Sequence, residues 1–305
     1  MVARKKQAQE QNEESQIAQN PATAEKKALV VEGGAMRGVF TTGVLDGFLQ
    51  HRFNPFDFFI GVSSGAGNLA AYLAEMPQRN LKIYTDYSLR PEFLSFRRFF
   101  FGGHLVDLDW LWQITISEIR LDLAKIYAKE KPFLVCITDV LSGKSVYKQT
   151  ARENLEQVLK ASSAMPVLYR HFPLVDGRFM ADGGLSDPIP VMEAIRRGAN
   201  RIMVLRSRPR SYRKSEGVLQ RILLRKVRRF PQLQQAAAGR IQKYNDTLSL
   251  IRKPPPGVFV VEICPPPDFQ TSRLTRNPQK LHQGYRQGKH LAEEAIRLWN
   301  TPAPI

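Results

Sequence analysis

The stretch FFIGVSSGAGN (residues 58–68) carries an apolar run straight into a cluster of small residues in which a serine stands between two glycines. In a G-x-S-x-G elbow a strand turns sharply into a helix. The serine at the turn takes a strained backbone conformation, and only small residues two places before and after it escape a clash. Gly61, Ser63 and Gly65 fill those places, and Ala66 and Gly67 add room behind them. A Gly/Ser-rich loop has the same letters, so the flanking sequence has to decide.

Upstream, KALVVEGG (27–34) reads as a strand and 36–49 as a helix, while 56–61 is a second strand feeding a helix through about Glu75. Continuous apolar strands separated by helices indicate a parallel sheet covered on both faces. Segments 133–138, 201–205 and 258–263 are further buried-strand candidates, Asp176-Gly177 marks a hairpin, and FMAD is a strand ending at Asp182. Helices are predicted at 152–162 and 188–197. Leu233, Ala237, Ile241, Tyr244, Leu248 and Ile251 keep helical spacing, which predicts a long packed helix over 232–252. The expected fold is a three-layer α/β/α domain with a mostly parallel sheet, its core at 27–206 and a basic amphipathic segment with a helical and strand extension at 207–305.

At 305 residues and 43% apolar composition the chain can build one large α/β domain or two smaller ones. No run approaches the ~18 apolar residues of a membrane span, and the N-terminus lacks a signal-like hydrophobic stretch. A cytoplasmic location is therefore expected. Residues 1–26, without apolar periodicity, read as a disordered polar tail. The two cysteines, Cys136 and Cys264, sit in apolar β-like runs and read as buried reduced thiols. The net charge of +17 implies an anionic partner, either nucleic acid or an acidic membrane surface. From Arg206 through Arg229 ten basic residues face Glu216 alone, so more than half of that charge lies in 24 residues.

The loop EGGAMRG (32–38) follows the first strand and opens the first helix, so unpaired amides at a helix N-terminus face the space beyond the sheet. Gly33, Ala35 and Gly38 break a dinucleotide fingerprint at its middle glycine, and no lysine follows in P-loop spacing. An oxyanion hole remains, at the same sheet edge as the serine. None of the downstream histidines, His104, His171, His282 and His290, stands in a strand-end setting suited to a base. Asp182 ends a strand, and Gly183 and Gly184 let the backbone pass close to a neighbour; an ordinary Asp-Gly turn reads the same way.

Together these residues resemble the patatin-like phospholipases, serine acyl hydrolases that use a Ser-Asp dyad. EGGAMRG matches the family's oxyanion loop, GVSSG its elbow, Asp182-Gly183-Gly184 its aspartate element and ASSAMP (161–166) the segment between them. The resemblance covers roughly 28–206. It implies Ser63 as nucleophile, Asp182 as base with a pKa raised by partial burial, and the amides of Gly33, Gly34, Ala35 and Met36 as the oxyanion hole, with Ser64 N–H as a further donor. Gly61, Gly65, Gly38, Gly183 and Gly184 support these elements. Arg37 matches the family's basic loop residue, with a structural role or attraction for an anionic head group. Ala35 departs from the family, which has a glycine there.

The implied function is hydrolysis of acyl-ester lipids without metal or other cofactor, since no acidic cluster has calcium-loop spacing. An acyltransferase using the same dyad and an inactive basic binding protein are the alternatives. Val218, Leu219, Ile222, Leu223 and Val227 form one helical stripe with Arg221, Arg225, Arg228 and Arg229 off it. That suits peripheral attachment to an anionic membrane, or equally a solvated face packed by its stripe; nucleic acid is the weaker third reading. The phenylalanine-rich segment 91–105 reads either as an apolar flap beside the acyl site or as a buried connector.

Overall fold

The computed structural model describes residues 25–302. The expected polar tail lies outside them except for its last two residues, which are tied down: Lys26 N–H donates to Asn200 Oδ1 at 2.8 Å, and Glu25 pairs with Arg201 at 3.1 Å.

Eight strands form one sheet: β1 (Lys27–Val31), β2 (Phe58–Val62), β3 (Phe133–Asp139), β4 (Ser145–Gln149), β5 (Leu174–Val175), β6 (Arg178–Asp182), β7 (Arg201–Leu205) and β8 (Phe259–Ile263). Their order is β5-β6-β3-β2-β1-β7-β8, with β4 also paired to β3. From β3 to β8 all pairs along this order are parallel, while β4, β5 and β6 pair antiparallel. The run KALVV is continuous because both faces are covered: Leu29 and Val31 enter one core cluster, Ala28 and Val30 the other.

Helices Val39–Gln50, Ser64–Leu73, Leu155–Ser163 and Pro278–Asn300 cover the first face, and Val191–Arg196 with Pro231–Arg252 cover the second. The three-layer architecture is as expected. Residues beyond 206 supply β8 and one helix on each face.

The sequence reading missed the helix Pro278–Asn300, which packs along Val39–Gln50. Its buried stripe, Leu281, Gly284, Tyr285, Gly288, Ala292, Ala295 and Trp299, keeps helical spacing, so the signal stood in the sequence with small residues filling its middle. Small residues are needed there. A Cβ at Gly43 would stand 2.1 Å from Tyr285 O and one at Gly288 2.0 Å from Phe40 O, so the two backbones touch. Also missed were β4, half-exposed along its length, and the helices Leu108–Ile119 and Leu123–Ala128. Cys136 is buried as expected, but Cys264 is only partly so; both are free thiols. Among the described residues no helix is long and apolar enough to cross a membrane.

Candidate active site

Strand register brings Ser63 and Asp182 together. At the end of β2 Val62 is partnered with Cys136, and at the end of β6 Asp182 is partnered with Ile137, the next residue along β3. Because β4 takes the other edge of β3 over the same residues, β2 and β6 share one edge and approach from opposite directions. Their C-terminal ends therefore meet.

Ser63 sits at the turn with φ 52° and ψ −128°, a conformation that an L-residue holds only when its surroundings impose it. The glycines on either side make the turn possible. A Cβ at Gly61 would lie 2.5 Å from Ala66 Cα, and one at Gly65 2.6 Å from Val31 O. The segment ASSAMP clamps both functional elements. Ser63 N–H donates to Ser162 Oγ (2.8 Å), Ser162 Oγ–H donates to Cys136 O (2.7 Å), and Asp182 N–H donates to Ala164 O (3.0 Å).

Asp182 is buried, with Oδ1 accepting the Gly184 N–H at 2.7 Å, and it lines the same cavity as Ser63. Burial raises its pKa, and the Gly184 N–H, Ser63 and the charges of Arg240 and Arg273 oppose the rise without cancelling it. Gly183 is pressed against β3, where a Cβ would meet Cys136 O at 2.1 Å.

The loop 32–38 is held from below by Glu32. Its buried carboxylate accepts from Arg206 Nε (3.0 Å), Ser207 N–H (2.7 Å) and Tyr244 OH (2.9 Å). Burial favours its protonation, but the Arg206 and Arg37 charges and the Ser207 N–H outweigh that and keep it below its usual pKa. Two of the four amides expected in an oxyanion hole already have acceptors: Gly34 N–H donates to Ser64 Oγ at 2.9 Å and Met36 N–H to Arg273 O at 3.4 Å. Among the described residues the amides of Gly33, Ala35 and Ser64 have none. Ala35 adopts φ 51°, the left-handed conformation that its family's glycine takes without strain. Arg37 is buried, with Nε donating to Ser207 O at 3.1 Å, and the Gly38 carbonyl accepts from Asn68 Nδ2 at 2.8 Å.

One cavity is lined by Ser63, Asp182 and the loop. Phe93, Leu94, Val106, Leu108, Trp112 and Leu168 give it an apolar wall, and Arg208, Lys214, Arg240 and Arg273 give it a cationic one. The segment 91–105 is neither a free flap nor a buried connector. Its ends are buried and joined by a Leu94–Val106 bridge, whereas Phe100 and Phe101 at its tip are 85% and 77% exposed.

The basic segment also divides. Arg206 is fully buried between Glu32 and Glu262, so it presents no charge to a surface. Arg208 and Lys214 face the cavity, and Leu223 and Val227 of the apolar stripe are buried against Leu185, Leu233 and Ala237. Arg210, Arg213, Arg221, Arg225, Lys226, Arg228 and Arg229 are the exposed remainder. The sequence reading missed the Arg240 and Arg273 contributions and the clamping role of Ser162. Arg240 carries no signal beyond one polar position in a helix, whereas Ser162 lay inside a motif already singled out.

None of His104, His171, His282 and His290 lines the cavity. Among the described residues one group has metal-ligating geometry: His104, Asp109 and His171 place a ligand atom each within 4.8 Å of one another. Asp109 there already accepts from Lys160 and from Tyr169 OH (2.7 Å), and His104 Nδ1 accepts from Arg170 N–H (2.9 Å). These bonds engage both Asp109 oxygens and one His104 nitrogen.

A serine elbow and a buried aspartate at one edge of such a sheet are the arrangement expected of the patatin class. The patatin-like phospholipase family matches residues 29–195, and the chain belongs to that family. Residues 230–301 match a domain of unknown function. The Escherichia coli protein YjjU is 35% identical over 272 residues, which cover 86% of this chain and 74% of YjjU. A probable lipid hydrolase of Invertebrate iridescent virus 6 is 26% identical over 56% of this chain and 63% of its own length. Among solved structures, VipD from Legionella pneumophila aligns over 90% of this chain and 67% of its own, with a TM-score of 0.46 and 14% identity.

Proposed function

We propose that the protein hydrolyses acyl esters of lipids with Ser63 as nucleophile and Asp182 as general base. Ser63 Oγ forms a bond to the ester carbonyl carbon as its proton passes to Asp182. The carbonyl oxygen becomes an oxyanion facing the unpaired amides of Gly33, Ala35 and Ser64. Collapse breaks the bond to the alcohol, which leaves with the proton from Asp182. Water then attacks the acyl-enzyme, giving its proton to the same carboxylate, and the fatty acid departs as Ser63 regains its hydroxyl.

The observation that carries this reading is the meeting of a strained Ser63 with a buried carboxyl of raised pKa. A raised pKa makes Asp182 a better proton acceptor than an ordinary aspartate. The apolar wall accommodates an acyl chain. At the surface, exposed Phe96, Phe100 and Phe101 neighbour the basic helix Val218–Lys226, where Lys226 Nζ stands 5.9 Å from the Phe99 ring centroid. Aromatic side chains beside basic ones suit peripheral docking on an anionic membrane.

A fluorophosphonate probe should label the folded protein once, at Ser63, and the Ser63→Ala variant not at all. Labelling at another serine, or none in a folded parent, overturns the assignment.

A further inference from the structure

The geometry points to an anion subsite in the catalytic cavity, built by Arg37, Arg208, Lys214, Arg240 and Arg273, that takes the phosphate of an anionic glycerophospholipid whose ester meets Ser63. This inference rests on the hydrolase reading and names the substrate class. Five basic side chains line one cavity, four of them arginines, and among the described residues none is in an ion pair. The carboxylates that share the lining are otherwise engaged: Glu32 by Arg206, Ser207 and Tyr244, Asp182 by Gly184 and Ser63. Two of the five are more than nine-tenths buried, Arg37 at 2% exposure and Arg240 at 6%.

Arg37 Nη1, Arg240 Nε and Arg208 Nε find no acceptor in the protein, and these are donors that a folded chain ordinarily satisfies. Unpaired charge in such a place is costly unless a ligand of opposite sign meets it. The groups feel one another. Burial, with Arg273 and Arg208 alongside, brings Arg37 down to about 9; burial, with Arg240 and Arg273, brings Lys214 down to about 6. A surface patch that merely attracts lipid would not be built this way, because exposed lysines and arginines stay solvated and need no partner. Guanidinium forks present paired donors that match phosphate oxygens.

The site lies beside the chemistry. Arg240 and Arg273 act on Asp182, Met36 N–H donates to Arg273 O, and Arg37 follows the oxyanion loop directly. A phosphate here leaves its glycerol ester at Ser63 and its acyl chain toward the apolar wall.

The test uses the full chain with phosphatidic acid and diacylglycerol of the same acyl chains in neutral-detergent micelles. The ratio of kcat/KM for the two lipids should fall about tenfold or more in Arg240→Gln and in Arg273→Gln, the scale expected for loss of a buried charge-assisted contact. Glycerol 3-phosphate at constant ionic strength should raise the Tm of the parent and leave both variants unmoved. An unchanged lipid ratio in both folded variants overturns the proposal. Inorganic phosphate that gives the full Tm shift at lower concentration than glycerol 3-phosphate assigns the site to free phosphate and overturns the head-group assignment. If neither lipid nor a small soluble ester is cleaved, the hydrolase reading falls, and the Tm shift still decides the subsite.

Discussion

The cavity has two makers that work by different rules. The half before residue 206 delivers its groups by backbone: consecutive β3 residues Cys136 and Ile137 partner the ends of β2 and β6, and Ser63 and Asp182 follow from that register. The half beyond it delivers side chains from separate places. Arg208 and Lys214 come from the loop after β7, Arg240 from the helix Pro231–Arg252, and Arg273 from the loop before Pro278–Asn300. Strand ends fix a reacting atom closely, as acyl transfer requires. Long cationic arms can tolerate small shifts of their helices while keeping a field on an anion. Under the proposed function the core sets the chemistry, and the covering layer adds four of the five basic side chains that meet the substrate.

The sharpest break in the first half is Asp182→Asn. It keeps the shape and an oxygen for the Gly184 N–H but removes the base, so kcat on a small soluble ester should fall by about 10³, within the range for general-base loss. Stability should move the other way. The folded carboxyl has its pKa above the unfolded one, so stability is lost as pH rises from the unfolded value near 3.8 up to the folded one and is level beyond it. The variant should therefore unfold at a higher temperature than the parent at pH 7, with the gap closing toward pH 3. The parent's kcat/KM should show an acid limb above the ordinary aspartate range. A folded variant with near-parental turnover, or one less stable at pH 7, breaks the link between burial and basicity.

Against the second half, the exposed arginines offer a separate test. Reversing Arg221, Arg225, Arg228 and Arg229 to Glu should weaken binding to vesicles rich in anionic lipid by about a hundredfold, since each basic side chain near such a surface contributes roughly 1 kcal/mol before screening. Turnover of a soluble ester should change far less, because these side chains point away from the cavity that Arg208 and Lys214 line. Sedimentation with vesicles at low and high salt reads the effect. Undiminished binding would show that the helix Val218–Lys226 is only a solvated face. Retained vesicle binding together with lost affinity for nucleic acid would move the charge to the third partner class.

The same division explains what the sequence made legible. An elbow needs small residues around one serine, a strand end needs an aspartate before glycines, and such steric demands write themselves into adjacent letters: Gly61 to Gly65, Asp182 to Gly184. Even Ser162 stood in a recognisable segment, although its hydrogen bond to Ser63 N–H is a tertiary fact. Of the cationic cluster, Arg37 stood in a motif and Arg208 and Lys214 in the basic run, but the other two wrote nothing local. Arg240 and Arg273 look like solvated arginines until the fold buries one and turns both toward Asp182. Arg206 misled in the opposite sense, since in a run of basic residues nothing marks the one that pairs with Glu32 and Glu262 in the core. The helix Pro278–Asn300 was legible but missed: Leu281, Tyr285, Ala292, Ala295 and Trp299 keep helical spacing, while contact with Val39–Gln50 selects glycine at 284 and 288 in the middle of the stripe.

Ala35 tests how firmly the backbone half holds its loop. At φ 51° an alanine gives up about 1 kcal/mol relative to glycine, whereas a glycine there would loosen the unfolded chain by roughly 0.4–1 kcal/mol. The two nearly cancel. Ala35→Gly should therefore leave Tm within about 2–4 °C of the parent. The loop is already anchored by Glu32 below, by Ser64 Oγ on Gly34 N–H and by Ser207 Oγ on Gly33 O at 3.1 Å, so the Ala35 amide should keep its direction without the methyl group. Turnover of a soluble ester should then fall less than about threefold, far below the 10²–10³ that loss of an oxyanion donor costs. A fall beyond tenfold with an unchanged Tm would show that the alanine itself aims its N–H, and that at this one position the methyl group, rather than the surrounding hydrogen bonds, fixes the geometry of the hole.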